Sequence, residues 1–243
     1  TSYYTIVDAE SNTVLSVNTF LQGIFRHAGG FQITNNLLAV GIEDNVLKDK
    51  SKIQLYKIID PIKPTLQLLK TIERSGIEKR FTAGCVALTQ SKKEIIIAVG
   101  NWDSKNIDFY SLANEDLNNV DRNFKLKYSF DSEIVDKKNW LDTTWNSYQN
   151  INFIPSNDDV IFLLGTAKKD SSTTEIVDLF KITPSPKNQV TFQKVAQRTF
   201  IQSDTTMTFK WGGGIYADKN KLTIYSTGKH IKDTLFLNQY SNQ

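Results

Sequence analysis

The feature that most limits how this chain can fold is an internal repeat. Ala39-Val40-Gly41-Ile42-Glu43-Asp44-Asn45 lines up with Ala98-Val99-Gly100-Asn101-Trp102-Asp103-Ser104. Upstream, Ala28-Gly29-Gly30 to Ile33 matches Ala83-Gly84-Cys85 to Leu88; downstream, Lys52-Ile53-Gln54-Leu55-Tyr56 matches Asn106-Ile107-Asp108-Phe109-Tyr110. Three consecutive pieces agree in order, so the chain is built from copies of one supersecondary unit. The same grammar returns more loosely from Asn150 to Phe180 and from Trp211 to Tyr240, with equivalent positions on the order of 55–65 residues apart.

Each piece reads as a strand. Lys52 to Ile59 and Asn106 to Leu112 are short and rich in β-branched and aromatic residues. Leu37 to Gly41, Ile95 to Gly100 and Val160 to Gly165 are continuously apolar, as expected of central strands covered on both faces. Turn-rich joints separate the first and second pieces at Thr34-Asn35-Asn36, Gln90 to Lys93, Pro155 to Asp159 and Asp218 to Lys221. A fourth strand closes most units: Leu66 to Glu73, Lys125 to Phe130 and Val190 to Phe200. No stretch carries a helical apolar period; residues 113–123 and 131–147 are polar inserts that could form helical turns.

Four antiparallel strands per unit, repeated, predict an all-β fold: a β-propeller of four-stranded antiparallel blades in a single domain spanning 1–243. The units run about 1–25 (partial), 26–80, 81–147, 148–208 and 209–243. Two N-terminal strands, Tyr3 to Asp8 and Thr13 to Phe20, favour five blades with one incomplete. Four blades result if Thr13 to Phe20 instead completes the last sheet.

The blade grammar resembles β-propeller repeat proteins over nearly the whole chain. The phrases His27-Ala28-Gly29-Gly30-Phe31-Gln32, Trp102-Asp103 and Tyr148-Gln149-Asn150-Ile151-Asn152 look like those of uncharacterised propeller proteins. The WD-repeat pattern is not matched, because Trp102-Asp103 follows the second strand of its unit and not the third. The Asp-box phrase of sialidases is missing, so the resemblance implies no particular activity.

Composition narrows the partners. The 29 basic and 26 acidic residues are well mixed, and pairs such as Lys92-Lys93 and Lys137-Lys138 are too short for a nucleic-acid track. No apolar run approaches the roughly 20 residues of a membrane-spanning helix. A chain opening on Thr1 without Met is compatible with a removed export signal or with trimming, and a soluble protein is expected. Cys85 is the one cysteine, set among small apolar neighbours, and reads as a buried packing thiol. With only His27 and His230 beside it, no metal site and no cofactor are expected.

In such a fold, the loops leading into the first strand and out of the second meet at one end of the central channel. Here they carry Arg26-His27, Phe81-Thr82, Tyr148-Gln149 and Lys210-Trp211, with Glu43-Asp44-Asn45, Asn101-Trp102-Asp103, Thr166 to Lys168 and Lys229-His230. His27, Trp102, Asp103, Tyr148, Gln149 and Trp211 make an aromatic and polar inventory suited to a small polar or sugar-like ligand. Structural duties compete for the same residues. Asp and Asn after a strand cap turns, tryptophans pack between blades, and a histidine can satisfy a carbonyl. The leading expectation is a non-catalytic binding propeller. A hydrolase or lyase acting on a glycan or small molecule is the alternative, with Glu43, Asp44 or Asp103 as acid/base and His27 as a base. A protein-interaction scaffold is the third.

Overall fold

The computed structural model describes residues 1–60, 65–77, 79–154, 156, 160–169, 173–185, 189–202, 206–218, 221–229 and 236–241. The sequence-derived turns at Pro155 to Asp159 and at Lys219-Asn220 lie at least partly outside them. Seventeen strands are present among the described residues, with one 3-10 turn, Asn114–Asp116. No helix among them is long and apolar enough to cross a membrane.

The chain packs as two compact units. Unit 1 comprises Thr1–Trp102 and Tyr110–Leu126; unit 2 comprises Asp103–Phe109 and Lys127–Gln243. In unit 1, β1 (Ser2–Asp8) and β2 (Thr13–Leu21) form a two-stranded antiparallel sheet. Next come β3 (Phe25–Thr34), β4 (Leu37–Asp44), β5 (Lys50–Asp60) and β6 (Thr65–Ser75), an antiparallel sheet in chain order. The two-residue turn between β3 and β4 is closed by Asn35 at φ 54°, a left-handed conformation that asparagine tolerates better than most residues. Strands β7 (Cys85–Gln90), β8 (Glu94–Gly100), β9 (Asn106–Ala113) and β10 (Lys125–Asp131) are likewise neighbours in chain order, and β9 and β10 contribute residues to both units.

Unit 2 continues with β11 (Asn150–Ile154), β12 (Ile161–Lys168), β13 (Thr174–Ser185) and β14 (Gln189–Ile201), again antiparallel in chain order. A single parallel bridge, Ser129 to Gln189, joins β10 to β14. Three strands, β15 (Met207–Asp218), β16 (Lys221–Gly228) and β17 (Leu237–Ser241), form the last sheet. Within unit 1, β3 packs on β7; within unit 2, β11 packs on β15. First strand against first strand, sheet after sheet, is the β-propeller arrangement. The chain is an all-β propeller protein. Strands β1 and β2 form a sheet of their own.

The continuously apolar runs behave as central strands. Every residue of β4 is buried, and so is β8 after Glu94. Leu37, Ala39, Ile53, Leu55, Val86, Leu88, Ile95 and Ile97 belong to one core between the β3–β6 and β7–β8 sheets. Close approach of those sheets depends on glycine: a Cβ on Gly29 would fall 2.0 Å from the Ala83 carbonyl oxygen, and one on Gly30 2.8 Å from the Cys85 Cα. Cys85 is fully buried, and burial pushes its thiol up to about 12, which suits a packing role.

The two inserts differ in how they meet the expectation of helical turns. Residues 113–123 hold one, the short 3-10 turn, and the buried Lys70 ammonium donates to the carbonyls of Asn119 and Arg122 farther along the insert. Residues 132–149 have no regular structure, yet they are not a solvated polar loop. They deliver Trp140, 7% exposed, and Trp145 into the aromatic core of unit 2, where both pack on Phe180. The Trp140 indole N–H donates to the Phe192 carbonyl at 2.6 Å. Apolar anchors buried by a few residues outweigh the polarity of the rest.

Sheet-to-sheet joins also use polar groups. Glu175 on β13 is fully buried, and its Oε2 accepts the Phe209 N–H at 2.9 Å, while Oε1 has no hydrogen-bond partner. Burial raises this carboxyl above its ordinary value.

Two stability measurements follow from this packing. Gly29→Ala is expected to cost about 1–3 kcal/mol in chemical denaturation through overpacking. Gly214→Ala, where a Cβ meets nothing within 4 Å, should change stability by less than about 0.5 kcal/mol. For Glu175 the folded state holds the proton more tightly than the unfolded chain, so its contribution is full below the ordinary value of 4.5 and is lost as pH rises through the folded value. Glu175→Gln keeps an acceptor for Phe209 and should therefore melt above the parent at neutral pH, with the gap closing as the pH falls toward 4.5.

Candidate functional site

In unit 1 the sequence-derived residues His27, Glu43, Asp44 and Trp102 meet around the ends of β3 and β4. His27 and Glu43 are direct cross-strand partners, and a register shift between Phe25 and His27 kinks the strand just before them. The His27 Nδ1–H donates to Glu43 Oε1 at 2.7 Å, and Glu43 Oε2 accepts the Ala83 N–H at 2.8 Å. The Glu43 side chain is completely buried, whereas that of His27 is 43% exposed. A carboxylate with both oxygens occupied inside the fold thus fixes the imidazole from behind. With the proton on Nδ1, Nε2 is left as an acceptor.

Trp102 follows β8 and stands beside this pair. Its ring centroid is 5.8 Å from that of His27, tilted by 34°, and the residue is 38% exposed. Its backbone N–H donates to Thr82 Oγ1 at 2.7 Å, and the Thr82 hydroxyl donates to the Lys79 carbonyl at 2.8 Å. Gly84 lets this stretch approach, since a Cβ there would lie 2.8 Å from the Asn101 oxygen. The Lys48 ammonium sits 4.5 Å over the indole. Lys48 is held there by a left-handed backbone, φ 58°, and its carbonyl accepts the Lys79 N–H.

Asp44, the neighbour of Glu43, has a different job. It is 1% exposed, and its Oδ1 accepts the N–H groups of Val46 and Leu47, capping the turn after β4. Its Oδ2 is buried without a hydrogen-bond partner. Neither Glu43 nor Asp44 presents a carboxylate to solvent, so the acid/base role expected of them meets a steric barrier.

The remaining sequence-derived residues lie in unit 2. Asp103 sits in a turn: its carbonyl accepts the Ser104 hydroxyl at 2.7 Å and its Oδ1 the Lys105 N–H at 3.4 Å. Tyr148 is 1% exposed, with its hydroxyl donating to Asp178 Oδ2 at 2.6 Å and its ring edge-on to Trp145. Burial, then the Asp178 charge, hold that hydroxyl far above the usual phenol value. Tyr148 is therefore a core residue and not an open ligand wall, because the 132–149 insert covers it. Gln149 is half-buried and donates its backbone N–H to the Thr166 carbonyl. Trp211 is 40% exposed on β15. His230 lies outside the described residues.

Sequence reasoning missed one polar cluster. Lys194 on β14 is fully buried, its Nζ 3.1 Å from Asp142 Oδ2 and 3.2 Å from Asp178 Oδ2. Asn146 and Gln197 also donate to Asp178, at 2.9 Å each. Its parity with Val190 and Phe192 is the signal that could have found it, since those two inward positions put Lys194 inward as well. The cluster is closed, and it ties the 132–149 insert to β13 and β14. Among the described residues no group of three or more His, Cys, Asp or Glu side chains could hold a metal ion.

No protein-family model and no curated protein matches the sequence. Among solved structures, the chain is similar to the Bacteroides ovatus xyloglucan PUL GH43B at 11% identity and TM-score 0.49, over 92% of this chain and 40% of that one. It is similar to the bifunctional GH43-CE of Bacteroides eggerthii at 10% identity and TM-score 0.47, over 88% and 26%. An exo-β-1,3-galactanase from Phanerochaete chrysosporium follows at 12% identity and TM-score 0.44, over 87% and 45%. The chain spans less than half the length of each.

Truncating the buried carboxylate tests its structural share. Glu43→Ala leaves the Ala83 N–H without its partner and is expected to cost about 1–3 kcal/mol in urea unfolding. It should also broaden the His27 ring resonances in NMR, as the imidazole loses its anchor.

Proposed function

We propose that this propeller binds a carbohydrate or similarly polar small ligand on the surface shared by His27 and Trp102. One observation carries the reading: a part-exposed imidazole, fixed from behind by a fully buried carboxylate, stands beside a part-exposed indole. An indole face offers flat apolar contact to the C–H face of a sugar ring. The Nε2 acceptor of His27 takes one hydroxyl, and its orientation is set in advance by Glu43, which lowers the ordering cost of binding. A few fixed polar groups beside an aromatic wall are what small-ligand sites generally use.

A glycan-acting hydrolase is the second reading, and the same pair favours it. An imidazole backed by a buried carboxylate is a base with its orienting group in place. On this reading His27 moves the proton, Glu43 positions it, and Asp44 only caps its turn. The substrates named with the similar structures, xyloglucan and β-1,3-galactan, make reasonable first probes.

Calorimetric titration of the whole chain with xyloglucan oligosaccharides and β-1,3-galactotriose separates the readings. Binding is expected, with Trp102→Ala and His27→Ala each weakening it about tenfold or more, or roughly 1.4 kcal/mol. Unchanged affinity in Trp102→Ala would overturn the assignment of this surface. Release of reducing ends that disappears in His27→Ala but survives in Asp44→Asn would favour the hydrolase; binding without release favours the non-catalytic reading.

A further inference from the structure

Trp211 in unit 2 carries chemistry of its own. Strand β15 breaks register with β16 between Thr208, opposite Thr227, and Gly213, opposite Ser226. Residues 209–212 are therefore extra, and the bulge re-aims their side chains. Phe209 turns fully inward, with its N–H held by Glu175, while Lys210 and Trp211 both face out. In a regular strand two successive side chains would point to opposite faces. Here the Lys210 ammonium lies over the neighbouring indole, 5.3 Å from its centroid. Lys229, just past the end of β16, brings a second ammonium to 4.8 Å from the same ring.

Two cations over one exposed indole are an uncommon expense of like charge. Lysine is attracted to the tryptophan face, but that attraction at an exposed site is modest and does not neutralise either charge. Among the described residues no carboxylate pairs with Lys210 or Lys229. After the indole the strand runs Gly212-Gly213-Gly214; a Cβ would lie 2.9 Å from the Thr227 side chain at Gly212 and 3.1 Å from the Thr166 hydroxyl at Gly213, and would meet nothing within 4 Å at Gly214. An exposed indole and two uncompensated ammonium groups thus converge.

We propose that Trp211, Lys210 and Lys229 form a binding site for an acidic sugar, a ring bearing a carboxylate. The sugar ring stacks on the indole, and its carboxylate takes the two ammonium groups, which gain a stronger partner than the ring quadrupole. The site lies within unit 2, and the proposal does not depend on the function proposed for the His27 and Trp102 surface of unit 1.

The probe is trigalacturonic acid, titrated into the whole chain at low ionic strength alongside its methyl ester, which keeps the rings and removes the charges. The acid is expected to bind and to weaken as salt is added. The ester should bind at least several-fold more weakly. Trp211→Ala should lower affinity for the acid about tenfold, Trp211→Phe less, and Lys210→Gln with Lys229→Gln should erase the preference for acid over ester. These positions are exposed, so melting curves close to the parent's are expected for every variant. Absence of binding, equal binding of acid and ester, or full affinity in the double lysine variant or in Trp211→Ala would overturn the proposal.

Discussion

Everything else in these units leans on how a sheet's first strand is received by the sheet before it. An N–H near the start of such a strand is buried where the ladder does not reach it, so it needs an acceptor from elsewhere. The chain supplies one from a side chain at three joins: Glu43 to the N–H of Ala83, Ser104 to that of Tyr148, and Glu175 to that of Phe209. Glycine provides the complementary steric condition, since Gly29 and Gly30 let β3 lie directly against Ala83 and Cys85. Polar satisfaction and close approach are therefore met at the same few positions.

This explains why one carboxylate can serve both fold and site. Glu43 spends one oxygen on the next sheet and the other on His27, so the imidazole inherits the rigidity of the sheet join. Glu175 occupies the analogous situation without such a partner, and its second oxygen stays unpaired. The two residues have similar burial and opposite consequences for the surface above them.

The repeat was legible because its signals are local. Apolar runs such as Leu37 to Gly41 and Ile95 to Gly100 can be satisfied only by burial on both faces, and asparagine pairs such as Asn35-Asn36 mark tight turns. The candidate site was legible only in part. His27 and Trp102 meet because cross-strand pairing and the end of β8 place them together, which the alignment of repeats captures. Tyr148 was misread because its burial depends on Trp145 and Phe180, residues brought in by an insert with no periodic pattern. Asp44 was open to two readings, acid/base group or turn cap, and capping is local chemistry that Asp-Asn-Val-Leu can suggest but not decide. Lys194 was hidden because a lysine is ordinarily placed outside, and only strand parity contradicts that habit.

The 132–149 insert has almost no ladder bonds, which ordinarily marks a segment that opens easily. Its anchors are instead side chains bound to the sheet beneath: Trp140 on the Phe192 carbonyl, and Asp142 and Asn146 in the cluster around Lys194 and Asp178. Releasing it would uncover a lysine and a carboxylate in an aromatic core, a state that unit 2 cannot hold for long. The insert should then behave as part of the cooperative core: its buried amides exchange with solvent only when unit 2 itself comes apart.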